Sequence, residues 1–361
     1  MPSFQRRLIA VLLCLTLASV AGGAATLTLA ADPVLVGAGD ISSCDVSTDE
    51  DTAALLDAIP GTVAALGDTV YPDGTDPEYA NCYDPTWGRH LERTRPATGN
   101  HEYNTPDAQG YFNYFGAAAG DPAKGYYSYD LGAWHIIVLN SNCSFVGCQA
   151  GSPQEQWLRA DLAAHPATCI LAYWHHPLFT TGGGGTSAVR PFWQALYVAR
   201  ADVVLNGHVH SYARLEPQDP GGNPDPTHGI REFIVGTGGI NPNMAGVLKL
   251  TLHASSYDWE YIPVPGQTLT DSGSASCSPL TDPTTTPTPT HTATPTHTAT
   301  PTNTATPTNT ATPTATATST ATTTPTATPT PTNGPVAGSL KVYVPLVVKH
   351  ASDVSFRIRP P

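Results

Sequence analysis

The chain has 361 residues, a formal net charge of −13 at pH 7 and a pI near 5.3. This acidic balance argues against a nucleic-acid scaffold role, because proteins that hold nucleic acid present a basic face to its phosphates. The stretch from Ala31 to Leu280 is long enough for one large hydrophobic core, so we expect a single folded, catalytic domain over residues 31–280.

Residues 1–30 have the composition of an export signal. Two arginines, Arg6 and Arg7, precede an apolar run from Leu8 to Val20, and small residues follow that run. This order is typical of a secretory signal peptide and not of a membrane anchor. We therefore expect a secreted or cell-surface protein without a transmembrane anchor.

Six cysteines remain beyond the predicted signal peptide. An even number in an exported protein predicts disulfide bonds, and six cysteines allow fifteen pairings. Cys143 is expected to pair with Cys148, because the two close a short loop. Cys44 is expected to pair with Cys82, which would tie together two of the ligand-bearing loops described below. Cys169 with Cys277 is only the remaining pair.

Four short apolar runs are each followed by a polar side chain that can bind a metal ion. Runs of this kind without polar alternation predict strands buried on both faces. Open α/β folds bind ligands beyond the ends of such strands, so we expect these side chains to converge at one edge of a sheet. The runs and their ligands are Pro33–Ala38 with Asp40, Thr62–Leu66 with Asp68, Cys169–Tyr173 with His175, and Asp202–Leu205 with His208.

Five sequence blocks carry the complete set of candidate ligands, and their ordered coincidence means far more than any single block. They are Gly39–Asp40, Gly67–Tyr71, Gly99–Glu102, Trp174–His176 and Gly207–His210. They supply two aspartates, a tyrosine, an asparagine and three histidines, enough for two adjacent metal ions. Two metals held about 3.5–4 Å apart form a clamp for in-line attack on a phosphate ester. The candidate ligands are Asp40, Asp68, Tyr71, Asn100, His175, His208 and His210.

Some of these residues indicate which metals to expect. Asp68 can bridge both ions with its two carboxylate oxygens, and Asp40 is then a terminal ligand of one ion. Tyr71 is the most discriminating residue, since a phenolate is a hard anionic ligand that favours a trivalent ion and therefore Fe(III). Ser42 stands where many dinuclear phosphoesterases carry a histidine, so the missing imidazole and the additional phenolate compensate for each other.

The remaining elements predict an α/β fold with enough strands for two packed sheets. Ser152, Pro153 and Glu155 form the sequence of a capping box that opens a helix. His135 lies in an apolar strand, where a packed or hydrogen-bonded core residue is expected rather than a ligand. The other predicted helices are Asp51–Ile59 and Val189–Ala199, and the other predicted strands are Trp134–Leu139 and Glu232–Val235.

The ordered motifs between Val34 and Tyr212 resemble the calcineurin-like metallophosphoesterases, and within them the purple acid phosphatase branch, in the form of a secreted bacterial member. The resemblance implies a four-layer αββα fold, in which two sheets form a β-sandwich flanked by helices. It also implies two metal ions, Fe(III) at the Tyr71 site and a divalent Zn, Fe or Mn ion at the second. The implied ligands are Asp40, Asp68, Tyr71 and His210 for Fe(III), and Asp68, Asn100, His175 and His208 for the divalent ion.

The same resemblance implies that a metal-bound hydroxide hydrolyses a small phosphate ester, without a protein nucleophile. His101 matches the family's proton-donating histidine and is expected to protonate the leaving alkoxide as a general acid. Glu102 is expected to orient or charge-balance that imidazole. His176 is a candidate for contact with the substrate phosphate.

The main functional expectation is therefore an acid-phosphatase-like phosphomonoesterase. A phosphodiesterase or nucleotidase on the same fold is the alternative, because the motifs fix the metals and not the groups that contact the leaving side of the substrate. A non-catalytic cell-surface stalk protein belongs to a different class. It predicts substituted ligands, which the five blocks do not show.

Residues 281–335 form a Thr/Pro-rich low-complexity linker, with no Lys, Arg, Asp or Glu between Pro283 and Lys341. Frequent prolines prevent helix and sheet, so an extended stalk is expected. The tail, residues 336–361, has two interpretations. It is either a surface-sorting or docking element for attachment to the cell envelope, with a strand-like segment at Val342–Val348, or a disordered end.

Overall fold

The computed structural model describes residues 31–278, almost the whole of the predicted folded domain. The expected signal peptide, the Thr/Pro-rich linker and the tail with its strand-like segment lie outside the described residues. Within residues 31–278, no helix is long and apolar enough to cross a membrane.

Strands outnumber helices in the described domain. The strands are β1 Val34–Ala38, β2 Ser42–Ser43, β3 Thr62–Leu66, β4 Val70–Tyr71, β5 Thr94–Ala97, β6 Tyr127–Leu131, β7 Trp134–Val138, β8 Cys169–Tyr173, β9 Val203–Asn206, β10 Tyr212–Arg214, β11 Arg231–Val235, β12 Gly246–Leu252, β13 Ser256–Pro263 and β14 Asp271–Ser276. The α-helices are α1 Thr48–Ala58, α2 Asp76–Glu78, α3 Gln109–Phe115, α4 Cys143–Val146, α5 Pro153–Ala164 and α6 Arg190–Val198. A π-helical turn spans Tyr79–Tyr83, and 3₁₀ turns span Trp87–Arg93, Glu102–Asn104, Pro106–Ala108, Gly116–Ala119 and Ser187–Val189.

Two six-stranded sheets carry the fold. The first has the order β14-β13-β12-β1-β3-β5, and its strands β1, β3 and β5 are parallel. The second has the order β10-β11-β9-β8-β7-β6, and its strands β7, β8, β9 and β11 are parallel. The short strands β2 and β4 form a separate parallel pair. Each sheet therefore has several carboxyl ends of strands at the same edge.

A hydrophobic core joins the facing sides of the two sheets, and a second core packs the other side of the second sheet. Ile136 and Val138 of β7 belong to the first core, which continues to α1 beyond the first sheet. Ile137 points the other way and packs in the second core with Leu158 of α5 and Trp193 of α6. Both faces of β7 are buried, which explains why its sequence lacks alternation. The expected arrangement of two sheets between helices is confirmed.

Most predicted elements are present, with small shifts at their ends. Strands β3 and β8 have the predicted bounds, whereas α1 begins at Thr48, three residues before the predicted start. The hydroxyl of Ser152 accepts the N–H of Glu155, as a capping box requires. In a full capping box the Glu155 carboxylate would also accept the backbone N–H of Ser152. Here that N–H donates to the carbonyl oxygen of Gln149, and the Glu155 carboxylate accepts the N–H of Gly151.

The three strands β12, β13 and β14 were not among the predicted elements. In β13, buried Tyr257, Trp259 and Tyr261 alternate with exposed Asp258 and Glu260, which is the pattern of a half-buried strand. In contrast, β14 has almost no apolar side chain and is held by its pairing with β13. These strands extend the first sheet on the side away from β5.

The three expected disulfide bonds are confirmed. They join Cys143 with Cys148, Cys44 with Cys82, and Cys169 with Cys277. Three disulfides in a domain of this size fit an oxidising compartment outside the cytoplasm.

Candidate metal centre

The candidate ligands follow the carboxyl ends of strands in both sheets. Asp40 and Asp68 follow β1 and β3 of the first sheet, whereas His175 and His208 follow β8 and β9 of the second. The expectation of a single sheet edge is therefore wrong. The two sheets pack face to face, so their neighbouring carboxyl ends line one shared site.

Six of the seven candidate ligands lie in direct contact. The hydroxyl of Tyr71 lies 2.8 Å from Asp40 Oδ1 and 2.9 Å from Asp68 Oδ2. His210 Nε2 lies 3.1 Å from Asp40 Oδ1. On the opposite side, His175 Nε2 lies 3.0 Å from Asp68 Oδ2. The Asp68 carboxylate therefore lies between Tyr71 and His175, and His175 follows a strand of the second sheet.

His208 completes this group on the side of the second sheet. Its Nδ1 lies 3.3 Å from His175 Nε2, and its backbone N–H donates to Asp40 Oδ2 over 2.7 Å. One ligand atom each from Asp68, His175 and His208 lies within 4.8 Å of the other two. This spacing is compatible with a single metal ion bound by all three.

Asn100 is the seventh candidate, and it lies on a loop in contact with Asp68. The backbone N–H of His101, the next residue, donates to Asp68 Oδ1 over 2.9 Å. On the other side, a methyl group added at Gly99 would collide with the same carboxylate, so only glycine permits this approach. The buried Oδ1 of Asn100 has no hydrogen-bond partner within residues 31–278. A buried amide oxygen without a partner fits a metal ligand, because leaving it unsatisfied is costly.

Three of the candidate ligands have left-handed backbone conformations. Asp40, Asp68 and His208 have φ angles of 59°, 49° and 70°. Each lies two residues beyond the end of its strand, where the left-handed residue turns the chain sharply. Local strain of this kind clusters at functional sites.

His101 and Glu102 follow Asn100, but they occupy different surroundings. The ring of His101 lies 4.1 Å from that of Tyr71, and its Nδ1 lies 2.6 Å from the carbonyl oxygen of Pro72. Its Nε2 lies 3.9 Å from Asp68 Oδ2. His101 therefore stands at the mouth of the site with one ring nitrogen already engaged.

Within residues 31–278 the Glu102 carboxylate makes no hydrogen bond to the imidazole of His101, so it does not hold this ring by direct contact. Its buried carboxylate accepts the backbone N–H groups of Asp68, Thr69 and Gly99, and also the Thr69 hydroxyl. Burial and the nearby Asp68 charge raise the pKa of Glu102, while these hydrogen bonds oppose the rise. Glu102 joins the two loops that carry Asp68 and Asn100.

Burial and charge act on the site in opposite directions. Burial alone would raise the pKa of Asp68, but His175 beside it lowers that pKa well below its ordinary value. Burial would lower the pKa of His175, but the Asp68 carboxylate raises it to about 9. Burial and the charges of Asp40 and Asp68 raise the pKa of Tyr71 far above its usual range. The neighbouring His175 thus favours the ionised form of Asp68, whereas burial and the two carboxylates favour the neutral form of the Tyr71 phenol.

His176 lies next to the ligands, with its ring 4.4 Å from that of His208. Its Nδ1 lies 2.8 Å from the hydroxyl oxygen of Ser141, which also accepts the His176 backbone N–H. Burial and the positive charges of His175 and His208 lower the pKa of His176 to about 3. Ser141 was not predicted as a site residue. It lies three residues beyond β7, so its signal in the sequence was a polar residue after a predicted strand, which it shares with Asn140.

Residues 34–212 match the family model of the calcineurin-like phosphoesterases. Purple acid phosphatase 21 of Arabidopsis thaliana is 31% identical over 167 residues, which cover 39% of this chain and 38% of the relative. Purple acid phosphatase 22 of the same plant is 34% identical over 132 residues, covering 33% and 28%. The chain thus spans well under half the length of these relatives.

Two solved structures have a similar fold. A purple acid phosphatase from yellow lupin (Lupinus luteus) seeds has a TM-score of 0.53 at 17% identity, over 69% of this chain and 54% of that one. The anchor in the inner membrane complex of Plasmodium has a TM-score of 0.51 at 12% identity, over 69% and 90%. At these identities the likeness shows the fold alone, and the fold serves both a phosphatase and an anchor. The family is shown by the family model, whose matched residues 34–212 contain all five blocks: the chain belongs to the calcineurin-like phosphoesterase family.

Proposed function

We propose that this protein is a dinuclear metal-dependent phosphohydrolase that acts on small phosphate monoesters. The observation that carries the proposal is the meeting of two carboxylates, a phenol and three imidazoles at the carboxyl ends of both sheets. The unpartnered oxygen of Asn100 supports it, because a cation would satisfy that oxygen. The family also implies a dinuclear metal centre.

We assign the ligands to two groups that share Asp68, and the contacts support this division. Tyr71 contacts Asp40 and lies 3.3 Å from His210, so these three and Asp68 would hold one ion. His175 and His208 contact each other and, with Asn100 and Asp68, would hold the second. The mixed nitrogen and oxygen ligands of the second group suit Zn, Fe or Mn.

Tyr71 supports Fe(III) in the first position. Its hydroxyl contacts the two carboxylates that would bind the same ion, and a phenolate is a hard anionic ligand that favours a trivalent ion. We expect the native protein to contain iron and to show a visible phenolate-to-iron absorption band. Tyr71→Phe should abolish this band, whereas Tyr114→Phe, which alters a tyrosine hydrogen-bonded to Asp84, should retain it. Native protein without iron, together with an unchanged Tyr71→Phe spectrum, would contradict the assignment.

When bound, the two ions would supply a water-derived nucleophile and neutralise the charge that develops on the phosphoryl oxygens. His101 would donate a proton from Nε2 to the leaving oxygen, because its Nδ1 is held by the Pro72 carbonyl oxygen. His176 would contact the phosphate through its Nε2. The Ser141 hydroxyl oxygen accepts the His176 backbone N–H and can donate its proton to Nδ1, which leaves the ring proton of the neutral imidazole on Nε2.

The activity is tested by comparing a phosphate monoester with a diester that has the same leaving group. Metal-loaded protein should hydrolyse the monoester faster, and His208→Ala should remove the activity. Faster hydrolysis of the diester would favour the alternative of a phosphodiesterase or nucleotidase. No hydrolysis of either ester by metal-loaded protein would favour a non-catalytic role.

We also propose that the protein is exported through residues 1–30 and that residues 281–335 separate the catalytic domain, residues 31–280, from the tail at 336–361. The three disulfides support export. Fractionation of cells that express the full chain should find the catalytic domain outside the cytoplasm. Removal of the tail should shift the protein from the envelope to the medium, and an unchanged distribution would contradict a role of the tail in attachment.

A further inference from the structure

A cavity of about 430 Å³ adjoins the candidate metal centre. Asn100 and His176 line it on the side of the centre, and Tyr103, Cys143 and Phe145 line it farther along. Because Asn100 and His176 adjoin both the centre and the cavity, the cavity lies within reach of the leaving group of a phosphate at the centre. The side chains of the cavity wall decide which leaving groups fit.

Phe145 is an unusual residue for that wall because it is 58% exposed. Among residues 31–278, it and Val198 are the two strongly exposed large hydrophobic side chains. One face of the Phe145 ring stacks on Tyr103, with a centroid distance of 4.4 Å and an interplanar angle of 27°. The Tyr103 hydroxyl accepts from Asn140 over 2.7 Å, so the supporting ring is fixed. The other face of Phe145 is left available.

The segment that carries Phe145 is held on both sides. Phe145 lies in the short helix α4, and the disulfide between Cys143 and Cys148 closes the loop around it. The backbone N–H of Phe145 donates to the carbonyl oxygen of Asn142. An exposed aromatic ring is thus presented by a closed loop rather than by a free chain end.

The cavity wall also lacks compensating charge. No lysine, arginine, aspartate or glutamate of residues 31–278 lines it. A leaving group with additional phosphates or carboxylates would find no cation there, and the net charge of −13 would repel it further. An uncharged leaving group meets no such penalty.

Building on the proposed function, we infer that the preferred substrates are phosphate monoesters with an uncharged aromatic leaving group. The aromatic ring of the leaving group stacks on the free face of Phe145, which Tyr103 supports from behind. Offset stacking of aromatic rings is favourable beyond the burial of their area. Phe145 is therefore a specificity-determining residue, and it takes no part in the bond-breaking step.

The test compares two monoesters, phenyl phosphate and glycerol 2-phosphate, in wild type, Phe145→Ala and the matched control Val198→Ala. We expect Phe145→Ala to lower kcat/KM for phenyl phosphate by about three- to tenfold and for glycerol 2-phosphate by less than about twofold. Val198→Ala should leave both unchanged. Phe145→Trp should retain the preference for phenyl phosphate, which separates ring stacking from a general disturbance of the loop.

Equal losses of Phe145→Ala on both esters, or no loss on either, would overturn the inference. Failure of the proposed function gives a different result, because wild type then hydrolyses neither ester. In that case the binding of phenylphosphonate and methylphosphonate decides the matter, since it needs no turnover. The inference holds if only phenylphosphonate binds more weakly to Phe145→Ala, and it falls if the two phosphonates respond alike.

Discussion

Glu102 positions two candidate metal ligands, Asp68 and Asn100, by accepting hydrogen bonds from the loops that carry them. Its carboxylate gathers three backbone N–H groups and one hydroxyl from the loops after β3 and β5. Glu102 could be predicted as a site residue because it follows His101 in the sequence. Its hydrogen-bond partners could not, because they depend on where the two loops meet in space. Local sequence could predict the residue types that bind metal, and it could not predict this contact.

Glu102→Ala should weaken both the fold and the metal site. The change leaves three buried N–H groups without an acceptor, and we expect the free energy of unfolding to fall by at least about 3 kcal/mol. Metal content after purification should fall as well, because the loops of Asp68 and Asn100 lose their connection. Denaturant unfolding and elemental analysis measure both effects. Glu260→Ala, which removes an exposed ion pair with Lys249, is the control and should cost less than about 1 kcal/mol.

His101→Ala should slow esters with poor leaving groups more than activated aryl esters. A poor leaving group needs the proton that His101 would donate from Nε2 under the proposed mechanism, whereas an activated phenolate departs without it. The loss for the poor leaving group should be about 10²- to 10⁴-fold. Steady-state kcat on a series of esters with graded leaving-group pKa values measures the difference. A uniform loss across the series would show that His101 does not act as a general acid.

At the scale of elements, His135 links strand β7 to its neighbours. Its Nδ1 lies 2.8 Å from Asp130 of β6, and its Nε2 lies 2.8 Å from Asp161 of α5. The ring of His165 stacks on it at 4.8 Å. The expectation of a hydrogen-bonded core histidine is confirmed. Burial would lower the pKa of His135, but the two carboxylates raise it above the ordinary value.

This raised pKa predicts a pH-dependent contribution of His135 to stability. Because the folded pKa exceeds the unfolded value, the stabilisation is fully present below about pH 6.5 and is lost as the pH rises through the folded pKa. His135→Gln should therefore lower the free energy of unfolding by about 1–3 kcal/mol at pH 5 and by less at pH 9. Denaturant unfolding at both values measures the difference. Asp161→Asn, which removes a carboxylate partner, should weaken the same dependence, and an equal cost of His135→Gln at both pH values would contradict this account.

The strands that carry ligands could be predicted because their apolar runs are buried on both faces and end abruptly at polar residues. The loop of Asn100 had no such run, since β5 contains Arg95 and Pro96. Strand β14 could not be predicted from its own sequence, because its place depends on pairing with β13. That the site lies between two sheets could likewise not be predicted, because strand positions in the sequence do not show how the sheets pack together.

At the scale of the whole molecule, one disulfide joins the two sheets. Cys169 begins β8 of the second sheet, and Cys277 directly follows β14 at the end of the first. The two cysteines are 108 residues apart in the chain, whereas Cys143 and Cys148 are separated by five. Closing a longer loop restricts the unfolded chain more strongly.

Replacing Cys169 and Cys277 together by serine should lower the free energy of unfolding by about 5 kcal/mol, as the chain-entropy model gives for a loop of this length. The same change at Cys143 and Cys148 should cost only about 2 kcal/mol. Denaturant unfolding without reductant compares the two variants. A smaller cost for the longer loop would show that strain or residual structure, and not chain entropy, determines the stability that these bonds provide.

The left-handed backbone conformations of Asp40, Asp68 and His208 lower the stability of the fold at three candidate metal ligands. Glycine adopts such a conformation without the steric cost of a side chain, about 1 kcal/mol or more per residue. At the two aspartates this cost is offset, because the carboxylates of Asp40 and Asp68 accept the backbone N–H groups of His208 and His101. At His208, by contrast, glycine would relieve the strain and leave the backbone N–H bond to Asp40 in place, at the loss of a candidate metal ligand. A screen for heat-resistant variants can therefore accept such a change unless it also measures activity.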